Sequence, residues 1–356
     1  GGVVNALTPD VGDWDAFSAA PPSEKLEFFR KDGRLYDCLF SQQLDRALID
    51  RLCALADHMR LVTKTRAGDD FLRGLLAHRR AMLYFSQPST RTFLSHMSAC
   101  HILGLKVMEI RDLKTSSEVK GESQDDTIRT FASYVDLIIM RHHGPGVAER
   151  AAWTLNRSDR PVPVVNAGSG ADQHPTQALL DVYSLKRYLG GVDGKHIVMV
   201  GDLKRGRTVR SLSYLMKNFK GVRLTFAAPE AFRMGADILD FLRRHDIPFR
   251  ETADLETAIP DADAVYMTRI QDEHDQGGES AKVDYSPFHL NRLRMGLLPK
   301  HAVVLHPLPR REEIPAELDD DPRVVVFRQE RNGMWIRAAL IAHIFGLDDE
   351  ILTRKP

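Results

Sequence analysis

The chain has 356 residues, of which 43% are hydrophobic and 28% charged, a composition typical of a globular protein long enough for two domains. Its 49 lysines and arginines equal its 49 aspartates and glutamates, so we expect no general binding to nucleic acid or to a membrane surface. The three cysteines lack CxxC or metal-ligand spacing, which favours buried thiols in a reducing cytoplasm, and no apolar run reaches transmembrane length.

Residues 1–35 are polar and show no sustained hydrophobic period. They nevertheless contain Trp14, Phe17, Phe28 and Phe29, which are too many aromatic residues for a plain disordered tail. We therefore predict an N-terminal extension or arm that packs on its own body or on a neighbouring chain.

The first clear helical pattern follows at Ser41, which we interpret as an N-cap. Behind it, apolar residues recur at helical spacing and predict an amphipathic helix. They are Leu44, Leu48, Leu52, Leu55 and Met59.

From residue 81 onward, short β-rich runs alternate with helical patterns. The runs are 81–85, 106–110, 135–140, 162–165, 196–200, 222–227, 264–267, 302–305 and 324–327. Continuous apolar runs between helices predict parallel sheets covered on both faces, and nine strands are many for one sheet. The fold class is therefore α/β, with two doubly wound parallel-sheet domains. We place the first at 36–175 plus 327–356, and the second at 176–326.

The segment "PSTRT", Pro88–Thr92, lies between an apolar strand and a helical pattern. Free N–H groups and the positive end of the helix dipole gather at such a junction and favour an anion. Hydroxyls and the Arg91 fork suit phosphate. An ordinary capped helix with a solvated arginine is the alternative, and a Walker loop is absent.

Four further segments follow predicted strands, where open α/β sheets bind ligands. They are "GADQHPTQ" around His174 and Gln177, "GDLKRGRTVR" with Lys204, Arg205, Arg207 and Arg210, "MTRIQDEH" with Arg269 and Gln271, and "HPLPRREEI". Each taken alone is explained by a solvated loop or by local capping. Five such segments at successive strand ends together favour a ligand site.

These segments, with "VKGES" and "NGMWIRAAL", resemble the ordered motif series of aspartate carbamoyltransferase catalytic chains over about residues 36–350. Ornithine carbamoyltransferases carry Cys-Leu-Pro in place of the His306–Pro309 motif, so the resemblance favours the aspartate enzymes. It implies a carbamoyl phosphate-binding first domain and an aspartate-binding second domain. The implied reaction moves the carbamoyl group of carbamoyl phosphate to the amine of L-aspartate, in de novo pyrimidine biosynthesis.

The resemblance also implies roles for individual residues. The implied carbamoyl phosphate ligands are Ser89, Thr90, Arg91, Thr92, Arg141, His174, Gln177, Leu308, Ser116 and Lys120. Arg141 bridges the phosphate and the carbonyl oxygen, to which His174 and Thr92 donate, and Gln177 holds the carbamoyl amide. The Leu308 carbonyl accepts from the incoming amine. Lys120 lies on a loop that in this family enters the adjacent subunit's active site, which implies a homotrimer with shared sites.

The implied aspartate ligands are Lys120, Arg207, Arg269 and Gln271, and the implied catalytic groups are Arg91, Thr92, Lys120, Arg141 and His174. Five cations then face the four or so negative charges of the two substrates, whereas two arginines would repel the ammonium of ornithine. No metal, nucleophile or cofactor is required, since positioning and fixed donors stabilise the developing oxyanion. Closure between the two domains is implied.

The sequence departs from the family pattern at Gln87, Val119 and His274. These departures leave open a carbamoyltransferase for another amino-acid acceptor, and a non-catalytic paralogue is a further alternative. The sequence does not decide whether regulatory chains or pathway enzymes attach.

Overall fold

The computed structural model describes residues 11–111, 123–169, 173–269, 275 and 277–356. The chain divides into two compact units. Unit 1 comprises Gly1–Thr176 and Gly333–Pro356, and unit 2 comprises Gln177–Asn332.

Each unit is built on one parallel sheet. Unit 1 begins with an antiparallel pair, β1 (Arg30–Lys31) and β2 (Arg34–Leu35), and continues with β3 (Arg80–Phe85), β4 (Lys106–Ile110), β5 (Leu137–Arg141) and β6 (Val164–Asn166), in the sheet order β4-β3-β5-β6. Unit 2 contains β7 (His196–Val200), β8 (Arg223–Ala227), β9 (Phe249–Thr252), β10 (Ala264–Met267) and β11 (Val303–Leu305), in the order β11-β10-β7-β8-β9. The predicted pair of parallel-sheet domains is confirmed.

The α-helices of the described residues lie between these strands and at both ends of the chain. They are α1 (Trp14–Ala19), α2 (Arg46–Val62), α3 (Arg66–Leu75), α4 (Thr90–Ile102), α5 (Gln124–Ala132), α6 (Val147–Asn156), α7 (Pro175–Leu189), α8 (Arg207–Leu215), α9 (Ala236–Arg244), α10 (Leu255–Ala258), α11 (Arg292–Met295), α12 (Val326–Ile344) and α13 (Asp348–Thr353). None of these described helices is long and apolar enough to cross a membrane.

Two local predictions were wrong. The predicted strand at 324–327 is a single bridge from Val324 to Val304, after which α12 begins at Val326. Ser41 lies in a short 3-10 turn, and the cap of α2 is Asp45, whose carboxylate accepts from the Leu48 N–H at 2.8 Å. A carboxylate at this position also meets the positive end of the helix dipole.

The strand β9 was not predicted. It is an edge strand of the unit 2 sheet with partly exposed side chains, so it lacks the continuous apolar run that marked its neighbours.

The N-terminal aromatic residues pack on unit 1. Phe17 and Phe29 are fully buried in the core cluster that also holds Trp153 of α6. The Trp14 ring lies 5.3 Å from the Trp153 ring, and the buried Lys25 ammonium pairs with Glu149 of α6 at 2.6 Å. Of the two alternatives for this segment, packing on its own body is the one observed.

Candidate active site

The strand order of each unit locates a ligand crevice. In unit 1 the chain leaves β3 for β4 on one side and then adds β5 on the other, so the order reverses between β3 and β5. In unit 2 the same reversal lies between β7 and β10. Parallel α/β sheets bind ligands beyond the carboxyl ends of the strands at such a reversal. The predicted segments with Arg91, Arg207 and Arg269 follow β3, β7 and β10, and Arg141 ends β5. The segments "GADQHPTQ" and "HPLPRREEI" follow the neighbouring strands β6 and β11.

The start of α4, residues Ser89–Thr92, follows β3. Ser89 is the N-cap residue, yet its side chain makes no capping hydrogen bond. Thr90 is exposed, Arg91 is half-buried and Thr92 is buried. Because the Ser89 hydroxyl does not cap the helix, the simple capping explanation of "STRT" is weakened, and the helix start suits an anion.

A buried histidine, His96, forms a hydrogen bond to the backbone of this helix start. His96 Nδ1 lies 2.8 Å from the Thr92 carbonyl, which can only accept, so Nδ1 carries the proton. Burial first, and then the charge of Arg337, hold the pKa of His96 well below its ordinary value. His96 is therefore a neutral donor that fixes the backbone at Thr92.

Arg141, His174 and Gly168 meet at the ends of β5 and β6. Arg141 is the last residue of β5, and its Nη1 donates to the Ala167 carbonyl at 3.2 Å and lies 3.3 Å from His174 Nε2. A guanidinium only donates, so Nε2 accepts in this arrangement. Both side chains are more than nine-tenths buried.

Sequence reasoning did not single out Gly168, although the structure makes it indispensable. Its φ is +104°, and a Cβ atom there would lie 2.7 Å from Arg141 Nη1 and 3.0 Å from His174 Cδ2. Only glycine combines this backbone with so close an approach. The signal available in the sequence was the run of small residues that precedes His174.

The backbone next to Gln87 is also tied to this cluster. The N–H groups of Ser86 and Gln87 donate to the Arg141 carbonyl at 3.0 and 3.2 Å. The end of β3 and the last residue of β5 are thereby held together, one on each side of the reversal point in unit 1.

In unit 2, Arg207 is the first residue of α8 and Arg269 follows β10 by two residues. Both are half-buried. The neighbouring β7 and β10 ends approach closely because Gly201, with φ +121°, has no side chain; a Cβ atom there would lie 2.3 Å from Thr268 Oγ1. The two predicted aspartate ligands therefore follow adjacent strands.

Two other basic residues that follow β7, Arg205 and Arg210, have acidic partners within unit 2. Arg205 donates to Asp202 at 2.6 Å and also pairs with Asp275, and Arg210 pairs with Asp237. Through these pairs Arg205 braces the loop before α8, and Arg210 links α8 to α9.

The β11 turn, residues His306–Pro309, is held by a buried imidazole. His306 Nδ1 accepts from the Leu308 N–H at 2.8 Å, so Nε2 carries the proton and donates to Glu313 Oε1 at 2.7 Å. Burial lowers the pKa of His306, and the hydrogen bond from His306 keeps the pKa of Glu313 low despite burial. Leu308 has φ +59°, so its carbonyl is set in an orientation that few residues adopt. Sequence reasoning missed Glu313.

Gln177 lies in the first turn of α7, three residues after His174. Its amide Nε2 donates to the buried Asp181 carboxylate at 3.1 Å. The predicted site residues Ser116, Lys120 and Gln271 lie outside the described residues, as do Val119 and His274.

Two family models match the chain. Residues 37–187 match "Aspartate/ornithine carbamoyltransferase, carbamoyl-P binding domain", and residues 193–344 match "Aspartate/ornithine carbamoyltransferase, Asp/Orn binding domain". The chain belongs to the aspartate/ornithine carbamoyltransferase family. The resemblance drawn from the sequence motifs is confirmed.

Relatives of this carbamoyltransferase family with named functions span most of the chain. It is 39% identical to the chloroplastic aspartate carbamoyltransferase of Arabidopsis thaliana, covering 94% of this chain and 83% of that one. It is 40% identical to the aspartate carbamoyltransferase catalytic subunit of Methanopyrus kandleri, covering 87% and 97%. It is also 41% identical to multifunctional protein CAD of Squalus acanthias, of which the match covers 13%.

Solved carbamoyltransferase structures agree with the fold. Aspartate transcarbamoylase from Trypanosoma cruzi in complex with carbamoyl phosphate and aspartate is 35% identical, with a TM-score of 0.78 and coverage of 86% of this chain and 95% of that one. The catalytic subunit of M. jannaschii aspartate transcarbamoylase is also 35% identical, with a TM-score of 0.77 and coverage of 88% and 98%.

Proposed function

We propose that this chain transfers the carbamoyl group of carbamoyl phosphate to the α-amine of L-aspartate, giving N-carbamoyl-L-aspartate and phosphate for pyrimidine biosynthesis. The observation that carries the proposal is the placement of Arg207 and Arg269 after the two strands that flank the reversal in unit 2. Two arginines suit a dicarboxylate. Relatives named aspartate carbamoyltransferase support the same activity.

Unit 1 supplies the groups for carbamoyl phosphate in this proposal. The hydroxyls and N–H groups of Ser89, Thr90 and Thr92, with the Arg91 guanidinium, hold the phosphate at the α4 start. Arg141 reaches both the phosphate and the carbonyl oxygen. His174 can donate to that oxygen from Nε2 only when its contact with Arg141 is exchanged for one with substrate.

The transfer step needs no covalent enzyme intermediate. The aspartate amine nitrogen attacks the carbonyl carbon, and the oxygen of that carbonyl gains negative charge that Arg141, Thr92 and His174 stabilise. The carbon–oxygen bond to phosphate then breaks, and the departing phosphate takes the proton released by the amine. The Leu308 carbonyl orients the amine by accepting a hydrogen bond from one of its N–H groups.

Unit 2 supplies the acceptor specificity. Arg207 and Arg269, with Gln271 and Lys120, bind the two aspartate carboxylates in this proposal. Ornithine would bring an ammonium to the same arginines, and like charges there are costly. The second candidate, a carbamoyltransferase for another acidic amino acid, rests on the departure at His274.

The test measures phosphate release from carbamoyl phosphate with a panel of acceptors that includes aspartate, glutamate and ornithine. We expect phosphate release with aspartate, and we expect its rate to fall by a factor of about 10³ in Arg91→Ala. Arg73→Ala, an exposed arginine of α3 paired with Asp70, is the matched control that keeps full activity. Phosphate release that ignores aspartate but responds to another acceptor would overturn the aspartate assignment.

We also propose a homotrimer in which Lys120 serves the adjacent subunit's site, as the family resemblance implies. Mixing the inactive variants Lys120→Ala and Arg91→Ala should then restore part of the activity, because a mixed interface can hold one intact site. No recovery after verified subunit exchange would mean that each chain contains its own complete site.

We propose a cytoplasmic location on the basis of the thiols. Cys38, Cys53 and Cys100 are buried and form no disulfide with one another, which fits a reducing compartment. Several plant relatives are named as chloroplastic, so fractionation of the source cells is the deciding measurement.

A further inference from the structure

The Asp181 carboxylate is the centre of a buried hydrogen-bond network in unit 2. Its Oδ1 accepts from Gln177 Nε2 at 3.1 Å and from Gln329 Nε2 at 2.8 Å, and its Oδ2 accepts from the Tyr266 hydroxyl at 2.7 Å. Asp181 and Tyr266 are fully buried, and Gln329 is 1% exposed. Burying a carboxylate away from solvent destabilises the folded chain through desolvation unless hydrogen bonds to the carboxylate compensate.

The orientation of each amide in this network follows from one backbone group. The His306 N–H can only donate, and Gln329 Oε1 accepts from it at 2.9 Å. Gln329 must therefore present its Nε2 to Asp181, which makes Asp181 Oδ1 an acceptor. Gln177, which meets the same oxygen atom, must present its Nε2 as well.

The consequence concerns the other end of the Gln177 amide. With Nε2 turned inward to Asp181, the Oε1 atom of Gln177 occupies the other arm of the planar amide and acts only as an acceptor. A carbamoyl group carries an NH2 that donates, whereas an acetyl group carries a methyl that cannot. An acceptor fixed in this way favours the first over the second.

We propose that Asp181 is a positioning residue that gives the site its preference for a carbamoyl over an acetyl group, by fixing which atom Gln177 offers to the substrate. The inference rests on the proposed function and on the role that the family resemblance implies for Gln177, which is to hold the carbamoyl amide. Tyr266 and Gln329 hold the carboxylate in turn. Burial, and then the charge of Asp181, raise the pKa of Tyr266 well above its ordinary value, so the phenol remains the donor.

The experiment measures equilibrium binding of two stable probes, phosphonoacetamide and 2-oxopropylphosphonate, which differ only in NH2 against CH3. We expect the wild-type protein to prefer the amide, and Asp181→Leu to lower that preference roughly tenfold by losing one oriented hydrogen bond. If Asp181 had a purely structural role, the substitution would weaken the binding of both probes equally and leave the ratio of their affinities unchanged.

Two variants separate orientation from damage to the core. Asp181→Asn keeps an oxygen acceptor for both glutamines and turns its NH2 to the Tyr266 oxygen, so the probe ratio should stay within about twofold of the wild type. Tyr266→Phe disturbs the same buried cluster but keeps Asp181 Oδ1 as the acceptor of the Gln177 amide, and should also keep the ratio. If Asp181→Leu does not fold, Asp181→Leu with Tyr266→Phe leaves fewer buried polar groups without partners.

The inference fails if the folded Asp181→Leu variant keeps the wild-type ratio of probe affinities. It also fails if Asp181→Asn lowers that ratio as much as Asp181→Leu does. These outcomes are distinct from failure of the proposed function, because the probes bind without aspartate. If wild-type protein releases phosphate with aspartate while Asp181→Leu keeps its probe ratio, only the inference is overturned.

Discussion

The α4 start in unit 1 and the β11 turn in unit 2 both follow a buried parallel strand, yet they are held in different ways. At the α4 start the Ser89 side chain makes no capping bond, and the support is the His96 bond to the Thr92 carbonyl. At the β11 turn, the His306 imidazole is bonded at both nitrogens, to Leu308 N and to Glu313.

The difference matches the ligands that we propose for the two segments. A helix start binds an anion through N–H groups that the helix itself leaves without intrahelical partners, so side chains there need little prior ordering. A single carbonyl such as that of Leu308 must be aimed by its surroundings, because its backbone conformation is an unfavourable one. The second segment therefore depends on buried residues that never touch substrate.

The largest expected effect is at Gly168 and tests whether the unit 1 site, like the β11 turn, depends on a residue that does not touch substrate. Gly168→Ala should lower kcat by about 10²-fold or more, since its Cβ would displace Arg141 and His174 from their positions. Gly190→Ala is the matched control, because Gly190 has φ +80° but open space around a Cβ. Both variants should lose about 1–2 kcal/mol of unfolding free energy from backbone strain.

Steady-state kinetics and chemical denaturation of the two glycine variants decide the point. Equal losses of kcat in both variants would mean that backbone strain, and not the collision with Arg141, lowers the activity of Gly168→Ala.

A smaller effect is expected at the β11 turn. Glu313→Leu removes the acceptor of the His306 Nε2 proton, so kcat/KM for aspartate should fall about tenfold as the Leu308 carbonyl loses its alignment. Glu313→Gln retains an acceptor oxygen and should recover most of the loss. Affinity for inorganic phosphate, a ligand that we assign to unit 1, should not change.

The exposed neighbour Glu312 supplies the control variant Glu312→Gln, for which we expect wild-type kinetics. A drop in phosphate affinity in Glu313→Leu would contradict the idea that the two segments are supported independently.

The smallest effect is the pH dependence of stability. The pKa values of His96 and His306 are lowered in the folded chain, chiefly by burial, so the unfolded chain binds more protons below pH 6.5. Stability from these groups is full above pH 6.5 and is lost as the pH falls toward the folded pKa, by at most about 1.4 kcal/mol per pH unit for each histidine.

Urea denaturation between pH 5 and 8 measures this slope. His306→Gln should flatten the slope, and the exposed His78→Gln should leave it unchanged. An unchanged slope in His306→Gln would show that this imidazole is not neutral in the folded chain.

Much of this protein could be predicted from its sequence, because the relevant signals are local. Eight of the nine predicted β-rich runs are strands. Most of them are buried on both faces, which needs a continuous apolar run, whereas the edge strand β4 is partly exposed. The segments containing Arg91, His174, Arg207 and Arg269 were found because polar residues directly after such runs lie at the ligand-binding edge of a parallel sheet. Arg141 was implied by the family resemblance.

The tertiary structure decided what depends on contacts between distant residues. Val324 could not be recognised as a single bridge, since an apolar run of four residues fits a strand and a helix start equally well. Asp181 and Glu313 carry no local signal, because an acidic residue in a helix or loop is usually solvated. Gly168 is one of several small residues before His174, and a glycine usually marks a turn. Their importance arises only when folding buries them against Gln177, His306 and Arg141, where an unpaired polar group or an extra methyl is costly.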